Sequence, residues 1–375
     1  MALTPTYYLA DFMTGDLCGE ALPLENVQLS SSLQPGRFSA QLDMRKLGDL
    51  GDGHRVMNLL RNGKCTLVPV LEGISTGVGN PPTTRELGEW WVSVVADAPP
   101  SPIVQISGPE FAGYAKEVLL AGSWVRTWVG VLDPVVTARD MLAALYSTSQ
   151  DVAVNLQSWS SDTGAMVEVN APPRSDDYWS AISELQEAEG GEFEWMIRSG
   201  LVQVGGAPRR VTRTLVVGQP VLAASRLDVT LELAAPGDGP ASVTGFSREA
   251  SEHRTGSTMY GHGAGRGADQ IVTYISRGKV PGEPAKNRLI TDPTALSMPV
   301  LRRRVQQALN NLTPEQVVWP ATMPTDRYTP RVGELYSWRS DAQWTRPAES
   351  GQVRCVGWSW SSTGADEYVL DLVEA

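Results

Sequence analysis

The stretch SDDYWSAISELQEAEGGEFEWMIRSGLVQV, residues 175–204, predicts one capped helix followed by a β-hairpin. Ser175 can cap the amino end of the helix, and Asp176 and Asp177 favour the positive end of its dipole. Gly190-Gly191 ends the helix, since glycine tolerates the left-handed cap conformation. One face of the helix is apolar, because suitable side chains recur every three or four positions, at Tyr178, Ile182, Leu185 and Ala188.

The second half of this stretch predicts two paired strands. Apolar and polar side chains alternate from Phe193 to Arg198, the pattern of a strand with one buried face. Ser199-Gly200 is typical of a tight turn, after which Leu201 to Val204 would return the chain.

The helix and hairpin close a small α/β layer that we place at residues 133–210. A further helix is predicted upstream, capped by Thr137 and running to about Ser147. Two helices would then pack on a short sheet.

The flanking regions, residues 1–132 and 211–375, are predicted to be β-rich. Short apolar segments are separated by turn residues, and the 36 Gly and 26 Pro of the chain suit many strands joined by turns. A helix at 297–312 and a closing hairpin, Arg354 to Trp360 and Tyr368 to Val373, belong to the second region. The sequence therefore predicts a mainly β fold with an α+β insert, in which two antiparallel, barrel-like domains flank the small α/β layer.

Composition sets limits on function. The net charge of −11 makes the chain a poor candidate for gripping nucleic acid by its phosphates. Apolar residues make up 42% of the 375 positions and charged residues only 19%, which argues against disorder. Twelve Trp against five Phe fit either β-rich cores or a large assembly interface.

The three cysteines, Cys18, Cys65 and Cys355, have no metal-ligand spacing and suggest no disulfide framework. They are expected to be buried thiols of a protein made in a reducing cytoplasm. The sequence MALTPTYY at positions 1–8 lacks the basic and apolar regions of a secretion signal. No apolar run reaches the length of a membrane span.

Two patterns resemble ligand sites. The run Gly261–Gly267 contains Gly-x-Gly but lacks the preceding strand and following helix of a dinucleotide fingerprint, so a glycine-rich bend into a strand is the better interpretation. The three histidines, His54, His253 and His262, lack the partners and spacing of a metal site. We expect surface or loop histidines, and no metal or cofactor.

No pattern points to catalysis. The chain has no Gly-x-Ser-x-Gly elbow, and Asp176-Asp177 is explained by the helix dipole. Glu184, Glu187 and Glu189 fall on a solvated helix face, whereas a glycosidase needs two carboxylates that face each other across a cleft. We therefore predict that the chain is not an enzyme and name no catalytic residue.

Two further clusters have both a structural and an interface interpretation. Arg302-Arg303-Arg304 lies on the polar face of the predicted helix 297–312, which suits either solvent exposure or ion pairs with an acidic neighbouring subunit. Trp358 and Trp360 share one face of the last hairpin. This placement suits either packing in the core or anchoring a partner protein.

The order of these elements resembles the tail hub proteins of long-tailed phages, especially minor tail proteins of phages of actinobacteria. The resemblance rests on the helix followed by Gly-Gly and a Phe-Glu-Trp strand at 190–195, then the Gly-rich bend, the Arg-rich helix and the closing Val-x-Trp-x-Trp hairpin at 356–360. It spans most of the chain. No lysozyme-like or peptidase extension accompanies it, so the resemblance implies no wall-degrading role.

The resemblance implies a virion structural protein of the tail tip, made in the host cytoplasm. Such a baseplate hub is a homotrimer that closes the tail tube and opens during viral genome ejection. Two related barrels in each of three subunits would match the hexameric distal tail protein. The tape measure protein and other minor tail or receptor-binding proteins are the remaining implied partners. DNA would pass the lumen without specific binding, along an inner wall that we expect to be net acidic.

The loops Gly73–Gly88 and Arg248–Gly267 are our predictions for partner contacts, since loops on rigid scaffolds carry such work. Other functions stay open at this point. The chain could instead be a distal tail protein or a receptor-binding adhesin of the virion, or a hydrolase of cell-wall glycan.

Overall fold

The structure is a computed structural model. The residues that it describes are 5–61, 63–74, 83–120, 128–148, 152–155, 166–171, 177–186, 193–204, 207–218, 221–222, 224–233, 243, 245–246, 258–265, 267–276, 287–293, 295, 297–311, 318–325, 329–340, 348–364 and 367–374.

Strands outnumber helices in these residues. The α-helices are α1 (Leu50–Arg61), α2 (Pro134–Ala143), α3 (Tyr178–Gln186) and α4 (Met298–Asn311). The strands are β1 (Thr6–Asp11), β2 (Leu24–Ser32), β3 (Arg37–Asp43), β4 (Cys65–Ile74), β5 (Thr83–Glu86), β6 (Trp90–Trp91), β7 (Val94–Asp97), β8 (Ile103–Pro109), β9 (Trp128–Leu132), β10 (Val167–Ala171), β11 (Glu194–Val204), β12 (Ala207–Gly218), β13 (Ala224–Leu233), β14 (Gly245–Phe246), β15 (Thr258–His262), β16 (Val272–Ser276), β17 (Asn287–Thr291), β18 (Val318–Pro324), β19 (Glu334–Ser340), β20 (Glu349–Ser361) and β21 (Glu367–Glu374).

The chain forms two compact units. The large unit comprises residues 1–246 and 320–373, and the inserted unit comprises residues 247–319. The inserted unit begins and ends beside two paired strands, since Phe246 of β14 lies opposite Ala321 of β18. The division into three domains, at residues 132/133 and 210/211, stays a prediction.

A ten-stranded sheet joins the two ends of the chain in the large unit. Its main path runs β14-β18-β21-β20-β2-β3-β8-β7, while β19 pairs with β20 and with β13. The two ends meet where β2 pairs with β20, with Gln28 opposite Ser361. The mainly β architecture predicted from the sequence is therefore confirmed.

The two flanking regions that were predicted to be barrel-like are joined in this sheet. Strands of residues 1–132 and of residues 211–375 hydrogen-bond to one another in that sheet, and no closed barrel is present among the described residues. Hydropathy patterns identify strands but carry no signal for which strand pairs with which.

A second sheet of the large unit has β4 at its centre, with β1, β5 and β6 as its partners. Cys65, Leu67, Val68 and Val70 of β4 are all buried, so both faces of this strand are covered. The expectation that Gly73–Gly88 is an exposed loop is wrong at its carboxyl end. Thr83–Glu86 forms β5, and Glu86 and Leu87 are buried; residues 75–82 lie outside the described residues.

The hairpin that follows α3 is longer than predicted. Ser199-Gly200 does not turn the chain, because both residues pair within a continuous ladder, Ser199 opposite Arg213 and Gly200 opposite Thr212. The ladder extends until Val204 faces Ala207. Ser and Gly are common in turns, which is why Ser199-Gly200 predicted one. The apolar alternation continues past them, and the two strands stay paired at both positions.

Aspartates cap the two helices of the α/β region. The carboxylate of Asp133, and not Thr137, caps α2 by accepting a hydrogen bond from the Val136 backbone N–H at 3.0 Å. Pro134 then occupies the first turn, where its missing N–H costs nothing. Asp177 caps α3 by accepting from Ser180 N–H at 2.7 Å; Ser175, Asp176, Ala188 and Gly190-Gly191 lie outside the described residues.

These helices cover a shared core. Met141, Leu142 and Leu145 are buried. They belong to one cluster with Ile182 and Trp195, which ties α2 and α3 to the hairpin β11–β12.

A buried ion pair crosses the large unit. Arg213 of β12 and Glu89 have no exposed side-chain surface, and Arg213 Nη2 lies 2.6 Å from Glu89 Oε1. Arg213 also donates from Nη1 to the carbonyl oxygen of Phe12 at 2.7 Å, and its guanidinium lies 4.1 Å from the centre of the Phe111 ring. The hydroxyl of Thr66 donates to Glu89 at 2.6 Å. Arg213 thus links the hairpin to the segment after β1, and its partner Glu89 extends the link to β4.

The inserted unit is a three-stranded sheet, in the order β16-β15-β17, with α4 packed on one face. The helix approaches so closely that a Cβ built on Gly261 would lie 2.2 Å from Val305 Cγ2. Gly263 is equally confined, since its Cβ would lie 2.9 Å from the carbonyl oxygen of Ala295. Gly261 is therefore explained by packing of α4, and Gly263 by the close approach of the segment that precedes α4.

Replacing Arg213 with Met is expected to lower the free energy of unfolding of the large unit by about 3–5 kcal/mol, because Glu89 would stay buried without its cation. Urea unfolding measures the loss. The control is Arg339→Met, which removes the exposed pair with Glu232 and should cost no more than about 1 kcal/mol. Equal losses for the two variants would show that the buried pair contributes no more to the free energy of unfolding than the exposed pair does.

Replacing Gly261 with Ala is expected to destabilise the inserted unit by about 1–3 kcal/mol, since the new methyl group overlaps Val305. Adding Val305→Ala should make the combined loss smaller than the sum of the two single losses. Hydrogen exchange of β15 amides reports the stability of this unit. Gly364→Ala serves as a control, because its nearest neighbour would lie at an ordinary 3.7 Å; strict additivity at Gly261 and Val305 would contradict the packing argument.

Candidate interaction surfaces

The large unit contains a small cavity of about 60 Å³. Glu86, Glu89 and Glu110 all line it, which at first sight offers the facing carboxylates of a hydrolase. Sites that hold a sugar or a drug-sized ligand have volumes of about 300–1,000 Å³, so the cavity is far too small for a saccharide.

Each of the three carboxylates is held by groups of the chain itself. Glu89 is paired with Arg213, and Glu86 accepts from Arg331 Nη2 at 3.0 Å. Glu110 accepts from the Gly36 backbone N–H at 2.7 Å. These pairings connect segments that are distant in sequence, and they stabilise the fold by holding those segments together.

Burial raises the pKa of Glu110 to about 7 from its usual 4.5, although hydrogen bonds from Ser31, Gly36 and Ser32 oppose the shift. Glu110 and Gly36 form two reciprocal hydrogen bonds. Glu110 Oε2 accepts from the Gly36 N–H, and the Gly36 carbonyl oxygen accepts from the Glu110 N–H at 2.9 Å. The protonation of this one carboxyl therefore bears on how β8 is joined to the start of β3.

A wide groove of about 840 Å³ lies on the exposed side of the ten-stranded sheet. A row of small polar side chains crosses four strands there, with Ser107 opposite Ser39, Ser39 opposite Gln28, and Gln28 opposite Ser361. The charged residues that line the groove are two cations and two anions, namely Arg37, Lys116, Glu117 and Glu367. The groove therefore offers hydrogen bonds without a net charge, and it is not built to hold phosphates.

The inserted unit exposes the face of its sheet that α4 does not cover. Alternation along the three strands places nine residues on this open sheet face: Thr258, Tyr260, His262, Val272, Tyr274, Ser276, Asn287, Leu289 and Thr291. Tyr274, Tyr260 and Leu289 are cross-strand neighbours in the middle row. The sequence reasoning missed this surface, although large apolar residues on both faces of β15, β16 and β17 were a signal for it.

The predicted ligand candidates do not converge. His54 is exposed on α1, His262 lies at the end of β15, and His253 falls outside the described residues. Gly261 and His262 end β15, so a strand does precede this run, contrary to the prediction, whereas the strand predicted after it is present as β16. Gly261 makes room for α4, and Gly263 makes room for the carbonyl oxygen of Ala295. Across the described ranges, no three His, Cys, Asp or Glu side chains come close enough together to hold a metal ion.

The predicted charged and aromatic clusters have local explanations. Glu184 is exposed on α3, while Glu187 and Glu189 lie outside the described residues. Arg302 and Arg303 are exposed on α4, and Arg304 forms an ion pair with Asp292 of the same unit.

The aromatic residues of the last hairpin lie in the core. Trp358 and Trp360 are buried, and the Trp358 ring meets Trp90 at 6.2 Å and Tyr368 at 5.7 Å in edge-to-face contacts. Of the two interpretations, the structure supports the core for both tryptophans.

The thiols follow the prediction in two of three cases. Cys65 and Cys355 are buried, and Cys18 is half-buried. Burial raises the pKa of the Cys65 thiol to about 12, which keeps it in the unreactive form.

The predicted loop contacts are tested only in part. Of Gly73–Gly88, Gly73 and Ile74 belong to β4 and Thr83–Glu86 forms β5, so these residues are strand rather than loop. Of Arg248–Gly267, residues 248–257 and 266 lie outside the described residues. None of the helices in the described ranges has the length and apolarity of a membrane span.

No protein-family model matches the sequence, and no curated protein matches it. The fold is nevertheless shared with solved structures. The tail protein from Neisseria meningitidis MC58 aligns over 98% of this chain and 97% of its own, with a TM-score of 0.55 and 12% identity. The 43 kDa tail protein of prophage MuSo2 from Shewanella oneidensis aligns over 98% of both chains, with a TM-score of 0.54 and 10% identity.

A third structure, the lidded PdpA–VgrG complex of Francisella, aligns over 99% of this chain but 52% of that chain. Its TM-score is 0.54 at 6% identity. At such identities the likeness establishes the fold of this chain, which is the fold of solved tail proteins.

The raised pKa of Glu110 predicts a pH dependence of stability. Because the folded state binds this proton more tightly than the unfolded state, the free energy of unfolding should fall as the pH rises from about 4.5 to about 7 and should then level off. Glu110→Gln keeps an oxygen acceptor and removes the titration.

Urea unfolding of both proteins at several pH values measures the effect. The stability of the wild type relative to Glu110→Gln should decrease across the window from 4.5 to 7. Glu117→Gln, at an exposed position of the same segment, should run parallel to the wild type. A constant difference between the wild type and Glu110→Gln would refute the shift.

Proposed function

We propose that this chain is a structural protein of a phage tail and that it forms the hub at the tail tip. The observation that carries the proposal is the alignment of nearly the whole chain with nearly the whole of two tail proteins. Both alignments include the large unit and the inserted unit, so the likeness extends beyond a single common domain.

The chemistry of the interior supports a scaffold. The carboxylates that line the cavity are engaged by Arg213, Arg331 and the Gly36 backbone, and the cavity has no room for a substrate. A scaffold gains from such bonds because they fix strands that are far apart in sequence. We therefore propose a mechanical role without catalysis.

In this proposal three copies form a ring that closes the tail tube and opens for DNA passage. A closed ring is the usual way for one kind of subunit to surround a channel. The distal tail protein, the tape measure protein and receptor-binding proteins are the proposed neighbours. The link to phages of actinobacteria belongs to the proposal as well, since it rests on the sequence resemblance alone.

The hub proposal predicts a threefold ring with a central opening. Light scattering of the purified chain should give three times the mass of 40.5 kDa, and negative-stain averages should show threefold symmetry. A sixfold ring would instead favour a distal tail protein. A monomer at every concentration tested would contradict the hub proposal.

A further inference from the structure

The open sheet face of the inserted unit is a feature that packing of the core does not explain. Its middle row consists of Tyr274, Tyr260 and Leu289, and Val272 lies in the next row. Tyr274 is 64% exposed and Leu289 57%. Four large apolar or aromatic side chains, Tyr260, Val272, Tyr274 and Leu289, are therefore exposed on one small surface.

The composition of this face is that of a protein interface. None of its nine residues is Asp, Glu, Lys or Arg, although the chain as a whole carries a net charge of −11. The centre of a protein interface is depleted of charge and enriched in aromatic residues. Tyr260 and Tyr274, with ring centroids 5.7 Å apart, offer apolar area with hydroxyl groups for hydrogen bonds.

The charge of the open sheet face indicates which kind of partner binds there. A nucleic acid or a basic protein would be held by ion pairs, and this face supplies none. The acidic remainder of the surface repels an acidic partner, so such a partner can approach most closely at a neutral face. A second copy of the chain is an acidic partner of this kind. We propose that the open sheet face is an anchor of the contact between copies of this chain, an inference that rests on the proposed trimer.

The size of the face fixes how it works. Three strands and five residues give about 10 Å by about 16 Å, or about 160 Å². A stable interface buries about 800 Å² on each partner. The face alone therefore cannot hold two copies together. It acts as the hot spot of a wider contact, where a few aromatic residues carry much of the binding free energy.

The test compares single arginine substitutions on exposed apolar residues. Tyr274→Arg and Leu289→Arg each put a charge in the middle row, whereas Val131→Arg puts one at a comparably exposed position of the large unit, 61% exposed on β9. Sedimentation velocity over a range of concentrations gives the oligomeric state. Urea unfolding and circular dichroism establish that each variant is folded, and Tyr274→Ser replaces any arginine variant that is not.

We expect the wild type and Val131→Arg to form trimers, and both face variants to dissociate at a concentration at least about tenfold higher. Trimers of unchanged affinity in the face variants would overturn this inference and leave the trimeric hub intact. Equal weakening by Val131→Arg would overturn it as well. A wild type that stays monomeric would overturn the inference together with the trimer.

Discussion

The buried pair of Arg213 and Glu89 is the interaction on which the large unit depends. A guanidinium in the interior is tolerated only if its donors are satisfied, and Arg213 meets this condition with a carboxylate and with the carbonyl oxygens of Phe12 and Asp11. Asp11 ends β1 of the second sheet, Phe12 follows it and Glu89 precedes β6 of the same sheet, whereas Arg213 belongs to the long hairpin. Bonds to a fixed cation have strict geometry, so this pair sets the position of the hairpin against the sheet more closely than apolar packing alone would.

Much of the local structure could be predicted from the sequence. The alternation from Phe193 to Arg198 located the first half of β11, the closing hairpin was located at both of its strands, and the helix predicted at 297–312 is α4. Errors arose where two local signals competed. Ser199-Gly200 resembles a turn, yet the apolar residues after it hold the ladder of β11 and β12 together. Thr137 resembles a cap, yet Asp133 before Pro134 is the stronger one.

The partners of the strands and the candidate surfaces could not be predicted in the same way. The pairing of β2 with β20 depends on contacts between residues more than three hundred positions apart, as in the hydrogen bond from Val27 N–H to Ser362 Oγ. Gly261 shows the converse problem, since a glycine required by a nearby helix looks the same in sequence as one required by a phosphate. The open sheet face emerged only once β15, β16 and β17 were in register.

The pairing of β2 with β20 also has a consequence for how the chain is made. A ribosome synthesises β2 long before β20, so β2 has only β3 as a partner until nearly the whole polypeptide has emerged. Contacts of such long range give the large unit a high contact order, which slows folding. Among the described residues, the core cluster of the inserted unit draws only on positions 259–309, all of which are synthesised before β20 and β21. Folding of the large unit is therefore completed only after its last strands have been synthesised.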